Sequence, residues 1–345
     1  MNSSDRIRAV LRSHQTDRTP VTPEMIAVTA TLCGVPVIEY VKNGDIISQC
    51  QIEAARIVNS DVLFAIADLC VEAEAIGCKL IFPENNYPHI KTRIITGPSD
   101  IKTKKIPDPY SDGRMPEIIK AVRLLKKDAD GSRPVVANVV GPLTLASRIM
   151  DIEKMLYMIV DHPDQFKSIL EFCFRVSSTF AKALVREGAD GIIIFDPAAS
   201  PSVMPEKLFN QFEAQLVKII FSAVKDINQD ILTWYSVAGP LQNNLSIITS
   251  VSAEITTVDY PTPMKTMIDY MGYTVVNGNI KPGMFLEGSE DDIYREARIL
   301  LKTTEETKRF ILGSGCEIPL FSKEENIKAL FLAVMDEHHE KDNLS

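Results

Sequence analysis

The chain has 345 residues, 45% of them hydrophobic and 24% charged, and its 37 basic and 46 acidic side chains sum to −9. This is ordinary globular composition, and the acidic balance argues against nucleic acid as the main partner, because phosphate contacts need clustered Lys and Arg. No apolar run approaches the ~20 residues of a membrane span. The opening MNSSDRIRAVLRSHQTDRTP lacks a secretory apolar core. Six cysteines without a CxxC spacing point to a cytosolic protein with reduced thiols.

Short apolar, β-branched runs alternate with longer helical segments. The predicted strands, in chain order, are Pro20–Pro23 (the weakest signal), Val62–Ala67, Arg133–Val140, Gly191–Phe195, Ile231–Val237, Ile255–Val258, Thr274–Asn277 and Arg309–Leu312. Unbroken apolar runs of this kind suit parallel strands buried on both faces. Helices are expected over Val37–Val58 with a break near Gly44, over Met115–Lys127, and over Leu143–Arg186 with a break at Asp161-His162-Pro163. Further helices are expected over Pro205–Val224, Glu290–Lys302 and Lys323–Glu337. Cys78–Ile95 reads as two short strands around a turn, an excursion after the second strand.

Eight strands with intervening helices predict a (β/α)8 TIM barrel, with residues 1–345 as one domain; a doubly wound open sheet is the competing architecture. A barrel places its site at the C-terminal ends of the strands. Those ends carry Glu24, Asp68, Asn138, Asp196, Tyr235, Ser236, Asp259, Asn277, Asn279 and Cys316. One aspartate after a strand is ordinarily a turn or helix-cap residue. A whole ring of such groups at one mouth is costly to bury without chemistry to perform. Asp68, Glu72, Asp196 and Asp259 are the candidate acid–base residues, and Glu24, Asn138, Tyr235, Ser236 and Asn279 the candidate substrate contacts. None of the five histidines falls at a predicted strand end, although His89 could swing in from the excursion. Cys316, preceded by Gly313-Ser314-Gly315 and followed by Glu317, differs from a buried structural cysteine in lying in a polar loop.

Six short motifs in order resemble the uroporphyrinogen decarboxylase superfamily, and within it the corrinoid-dependent methyltransferase branch. They are Arg6–Val10 with Asp17-Arg18-Thr19-Pro20-Val21, then Asp68–Cys78 (DLCVEAEAIGC), then Gly141-Pro142-Leu143-Thr144. They continue with Gly188-Ala189-Asp190 through Phe195-Asp196-Pro197, Gly278-Asn279-Ile280-Lys281-Pro282, and Gly315-Cys316-Glu317-Ile318-Pro319 followed by Glu325-Asn326-Ile327. The resemblance implies the barrel and a methyl transfer involving a corrinoid on a separate carrier protein. It also implies a zinc ion held by a His-x-Cys pair after the fifth strand and a Cys after the eighth. Cys316 stands at the last of these positions, but Ser236 and Ala238 stand where the pair belongs. A catalytic zinc normally has three protein ligands, so the sequence leaves zinc in doubt, with Glu24, Glu72, Glu74 and Asp259 as oxygen donors.

The decarboxylases grip substrate carboxylates with an early arginine-rich loop, and Val21–Thr31 contains no arginine. The expected activity is therefore a corrinoid-linked methyltransferase with an altered metal site. Its partners are a corrinoid carrier protein and a small methyl acceptor or donor. The alternatives are a non-catalytic barrel that docks a corrinoid protein and a decarboxylase-like lyase for a small acidic substrate.

Overall fold

The computed structural model describes residues 1–342. Nine strands form among the described residues: β1 (Leu63–Ala65), β2 (Lys79–Ile81), β3 (His89–Thr92), β4 (Val135–Val140), β5 (Gly191–Phe195), β6 (Leu232–Ser236), β7 (Ile255–Val258), β8 (Val275–Ile280) and β9 (Phe310–Ser314). Seven of them make one parallel sheet in the order β1-β4-β5-β6-β7-β8-β9, and β2 and β3 pair antiparallel as the expected excursion. The open doubly wound alternative is set aside by the strand order, which follows the chain from β4 to β9 without a reversal.

The sheet curls. Phe64 of β1 packs its ring 5.9 Å from that of Trp234 in β6, although β4 and β5 lie between these strands. The first expected strand shrinks to one residue: Val21 makes an isolated parallel bridge to Leu312 of β9. On its other side the Val21 carbonyl accepts from the Asp61 N–H at 2.8 Å, just before β1. The regular ladder thus has seven strands, and a single bridge occupies the eighth position expected of a full barrel. Pro20 and Pro23 flank Val21 and cannot donate to a ladder, which keeps this element short.

Ion pairs hold the stub in place. Asp61 accepts from Arg6 Nη1 at 2.6 Å, from Arg18 Nη1 at 2.8 Å and from the Val21 N–H at 2.8 Å. Arg6 also meets Asp17 at 2.8 Å. The opening motif therefore serves the end of the sheet opposite the candidate site.

Helices cover the outside. Gly44–Val58 begins where the sequence placed a break, because Asn43 caps it through the Asp45 N–H. The long 143–186 segment divides into Pro142–Ile149, Ile152–Asp161 and Pro163–Arg186, with Asp151 capping the second and Pro163 opening the third. The expected single helix over Pro205–Val224 is two, Glu206–Phe212 and Ala214–Lys225, broken at the buried Glu213. No helix among the described residues is long and apolar enough to cross a membrane.

Candidate active site

Glu24 follows the Val21 stub and points its carboxylate inward across the curl. Its Oε1 and Oε2 accept from Ser236 Oγ at 3.2 and 3.4 Å, and Oε1 accepts from Thr257 Oγ1 at 2.5 Å. Trp234 Nε1 donates to the same threonine oxygen at 2.8 Å. The Glu24 N–H donates to Ser314 Oγ at 3.0 Å, and its carbonyl accepts from the Ile318 N–H at 3.0 Å. One acid is thus tied to β6, β7, β9 and the loop after β9. Burial raises its pKa to about 8 against the opposing pull of the two hydroxyls, and the nearby Glu317 and Asp259 charges raise it further. Burial thus favours the protonated form of Glu24.

Cys316 and Glu317 lie beside it. Burial pushes the Cys316 thiol up, and Glu24 and Asp259 add to the effect, so the sulfur is a thiol rather than a thiolate. Burial raises Glu317 to about 7, and Tyr87 donates its hydroxyl to this carboxylate. Tyr87 also accepts from the Ala27 N–H at 2.8 Å, which couples the β2–β3 excursion to the segment carrying Glu24.

Asp68, at the end of β1, forms an ion pair with Arg114: Nη1 meets Oδ2 at 2.5 Å and Nη2 meets Oδ1 at 3.2 Å. Arg114 also reaches Glu74 Oε2 at 2.5 Å and the Val41 carbonyl at 2.7 Å. Glu72 accepts from the Val140 N–H at 2.8 Å, and burial raises it to about 7. These carboxylates brace the ends of β1 and β4 against the helix Met115–Ala129, which Arg114 precedes.

Asp196 belongs to a different layer. Its Oδ1 accepts from the Thr144 N–H at 2.9 Å and Thr144 Oγ1 at 2.5 Å, and its Oδ2 accepts from Tyr235 at 3.3 Å. In β6, Ser236 turns toward Glu24 while its neighbour Tyr235 turns the other way, since strand side chains alternate. Asp196 and Tyr235 therefore meet between sheet and helices, away from Glu24. A Cβ on Gly141 would lie 2.2 Å from Asp196 Cγ, which accounts for the Gly-Pro-Leu-Thr turn. Glu213 faces Asp196 here, and burial together with the Asp196 charge drives it well above the carboxylate range.

Asp259 accepts from the Gly239 and Tyr260 N–H groups, both at 2.7 Å, and burial raises it. Asn279 donates to the Thr262 carbonyl at 2.8 Å and so fixes the loop after β7. Asn138 donates to the Val139 and Ile193 carbonyls at 3.2 and 3.3 Å. His89 is exposed on β3, paired with Ile81. The structure thus gathers Glu24, Ser236, Cys316 and Asp259 together, holds Asp68 and Glu72 in the neighbouring brace, and separates Asp196 and Tyr235. Sequence reasoning missed Thr257, Tyr87, Arg114, Thr144 and Glu213 as partners; Glu317 was visible within the Gly-Cys-Glu-Ile-Pro motif.

Among the described residues, no three His, Cys, Asp or Glu side chains are grouped to hold a metal ion. Ser236 spends its hydroxyl on Glu24, and Ala238 has no donor atom. These residues do not fit the three-ligand zinc centre that the resemblance implied.

The architecture is that of α/β enzymes whose reacting groups sit at the C-terminal ends of parallel strands. The chain matches the uroporphyrinogen decarboxylase (URO-D) family model over residues 2–337 and belongs to that family. It is 25% identical over 267 residues to the methylcobamide:CoM methyltransferase MtbA of Methanosarcina acetivorans, with 76% of each chain covered. It is also 25% identical over 303 residues to a uroporphyrinogen decarboxylase of a Wolbachia from Drosophila simulans, covering 85% of this chain and 84% of that one. The solved structure of a methyltransferase from Methanosarcina mazei shares the fold with a TM-score of 0.88 at 24% identity, over 98% of this chain and 99% of that chain.

Proposed function

We propose that this protein is a methyltransferase that moves a methyl group between a corrinoid on a carrier protein and a small second substrate, with Glu24 handling the accompanying proton. The observation that carries the reading is the clasp of Glu24 by Ser236 and Thr257 beside Cys316. Where the resemblance implies a metal ligand, this chain has a hydroxyl that orients an acid. The similarity to MtbA supports the methyl-transfer chemistry.

The methylated carrier is a substrate, and it supplies or takes up the methyl group. When a methyl group leaves a nitrogen, oxygen or sulfur atom, that atom needs a proton; when it arrives on a protonated heteroatom, a proton must go. A buried acid near pKa 8 serves both directions. Ser236 and Thr257 donate to the carboxylate and fix its orientation, and Glu317 with Tyr87 closes the far side. Asp68, Glu72 and Asp259 position the strand ends through the partners named above, and Asp196 stiffens the layer behind them. On this reading the chain is one barrel domain, with Asn138 and Asn279 on the mouth's rim.

The test is turnover of methylcobalamin with a panel of amines and thiols, followed by loss of the methylcobalamin absorbance. Turnover that Glu24→Gln lowers by about 10²–10⁴ supports the proposal. Binding of a corrinoid carrier protein without turnover would instead make the chain a docking module. Carbon dioxide release from a polycarboxylate would make it a lyase.

A further inference from the structure

Two cysteines that the site does not use lie against each other. Cys33 ends the helix Val28–Leu32, its N–H bonded to the Thr29 and Ala30 carbonyls at 3.1 Å each. Cys50 is buried in the helix Gly44–Val58, which packs against the first helix. Cys33 Sγ lies 3.9 Å from the Cys50 carbonyl oxygen, so the side chain already reaches the backbone of its neighbour. Cys33 is half-buried and therefore reachable from solvent, whereas Cys50 is closed off.

We propose that Cys33 and Cys50 are a reversible disulfide pair, with Cys33 as the attacking thiol, Cys50 as the resolving thiol, and a small-molecule disulfide as oxidant. The Cys33 thiol loses its proton, and its sulfur attacks one sulfur of the oxidant. That breaks the oxidant's S–S bond, forms a mixed disulfide on Cys33 and releases the first small thiol, which takes up the proton. Cys50 then attacks the Cys33 sulfur, forms the Cys33–Cys50 bond and releases the second small thiol with its proton. Two protein thiols are oxidised and one small disulfide is reduced to two thiols, so electrons and protons balance. The polarity of the pair follows its surroundings. The neighbouring Cys50 holds the Cys33 thiol below its ordinary range, against burial and the nearby Glu53 charge, while the neighbouring Cys33 and burial push Cys50 up. Cys33, the half-buried partner, is the better nucleophile.

The bond would staple the segment that carries Glu24. Helix Val28–Leu32 continues directly from Glu24–Ala27. Gln51, next to Cys50, already donates to the Met25 carbonyl at 2.8 Å and to the Tyr40 hydroxyl at 3.0 Å. Oxidation adds a covalent tie alongside these contacts. The inference stands independently of the methyl-transfer reading.

The experiment treats the full chain with oxidised glutathione, caps remaining thiols with N-ethylmaleimide and maps all cysteines by mass spectrometry. The expected result is a cross-linked Cys33–Cys50 peptide that dithiothreitol reverses. In Cys50→Ser the reaction stops at a glutathione adduct on Cys33, and in Cys33→Ser position 50 stays unmodified. The wild-type map decides the matter even if a variant fails to fold. Both thiols still capped by N-ethylmaleimide after oxidant would overturn the proposal. So would glutathione retained on Cys33 of the wild type beside a capped Cys50. Amide exchange over residues 28–33 should slow on oxidation; unchanged exchange would remove the staple.

Discussion

Ser236 Oγ donates to both carboxylate oxygens of Glu24, at 3.2 and 3.4 Å, across 212 positions of sequence. The contact joins the stub beside β9 to the end of β6, and it places at the mouth an acid whose pKa burial raises. A pH–rate profile should report it. In the direction that gives the methyl group to the corrinoid, activity should hold below about 8 and fall above it, as Glu24 loses the proton it must donate. In the reverse direction activity should rise toward the same value. Glu24→Gln should abolish that limb in both directions, and a limb that survives the substitution would assign the proton to another group.

Stability should carry the same signature with a defined sign. Glu24 has an ordinary pKa of 4.5 when unfolded and about 8 in the fold, so the native state binds its proton more tightly. Its contribution is therefore full below 4.5 and is lost as pH rises through the window up to about 8. Glu72 and Glu317, each near 7, act in the same direction. Urea unfolding should show a loss of stability from pH ~5 to ~8.5, and Glu24→Gln should make that slope shallower.

Arg114 should be among the least replaceable side chains. It is buried and satisfies Asp68, Glu74 and the Val41 carbonyl together. Arg114→Ala leaves two carboxylates without their cation and should cost about 3–5 kcal/mol in denaturant unfolding. Adding Asp68→Asn should recover part of the loss, because it removes one of the stranded charges; full additivity of the two changes would contradict the ion pair.

Gly141 should not tolerate even a methyl group. The added carbon would sit 2.2 Å from Asp196 Cγ, and Asp196 is pinned by Thr144 and Tyr235. Gly141→Ala should cost about 3 kcal/mol, at the upper end for overpacking a rigid site. Gly34→Ala is the comparison for space, since nothing lies near the added carbon there and its cost comes from a φ of +68° alone.

Metal content tests the mouth from another side. Purified protein should hold substoichiometric zinc, unchanged by Cys316→Ala. The combined Ser236→His and Ala238→Cys variant should gain about one zinc per chain, because it completes three ligands with Cys316. Stoichiometric zinc in the unaltered chain, lost in Cys316→Ala, would restore thiol activation by metal as the leading chemistry.

Much of the architecture was legible in the residues. The apolar runs at Gly191–Phe195 and Ile255–Val258 coincide with β5 and β7, and the excursion coincides with β2 and β3. Buried parallel strands leave that signature because both faces are covered. The strand-end ring of polar groups was legible for a related reason: apolar runs must end somewhere, and what ends them is visible. The first expected strand, Pro20–Pro23, does not form as a strand because two prolines limit Val21 to a single bridge, a restriction that acts through pairing. The helix break at Glu213 left no Gly or Pro to mark it.

The sequence by itself determined the alternation of strands and helices, the family motifs, and the absence of His or Cys at positions 236 and 238. These are properties of single residues or near neighbours. Only the tertiary structure decided which strand-end groups share a space. Ser236 and Tyr235 are adjacent in the chain, yet one faces Glu24 and the other Asp196, since alternate side chains leave a strand on opposite faces. Glu24 became the central acid only when the curl of the sheet carried it across to β6 and β7. Its raised pKa follows from burial, a property of the assembled fold rather than of any local pattern.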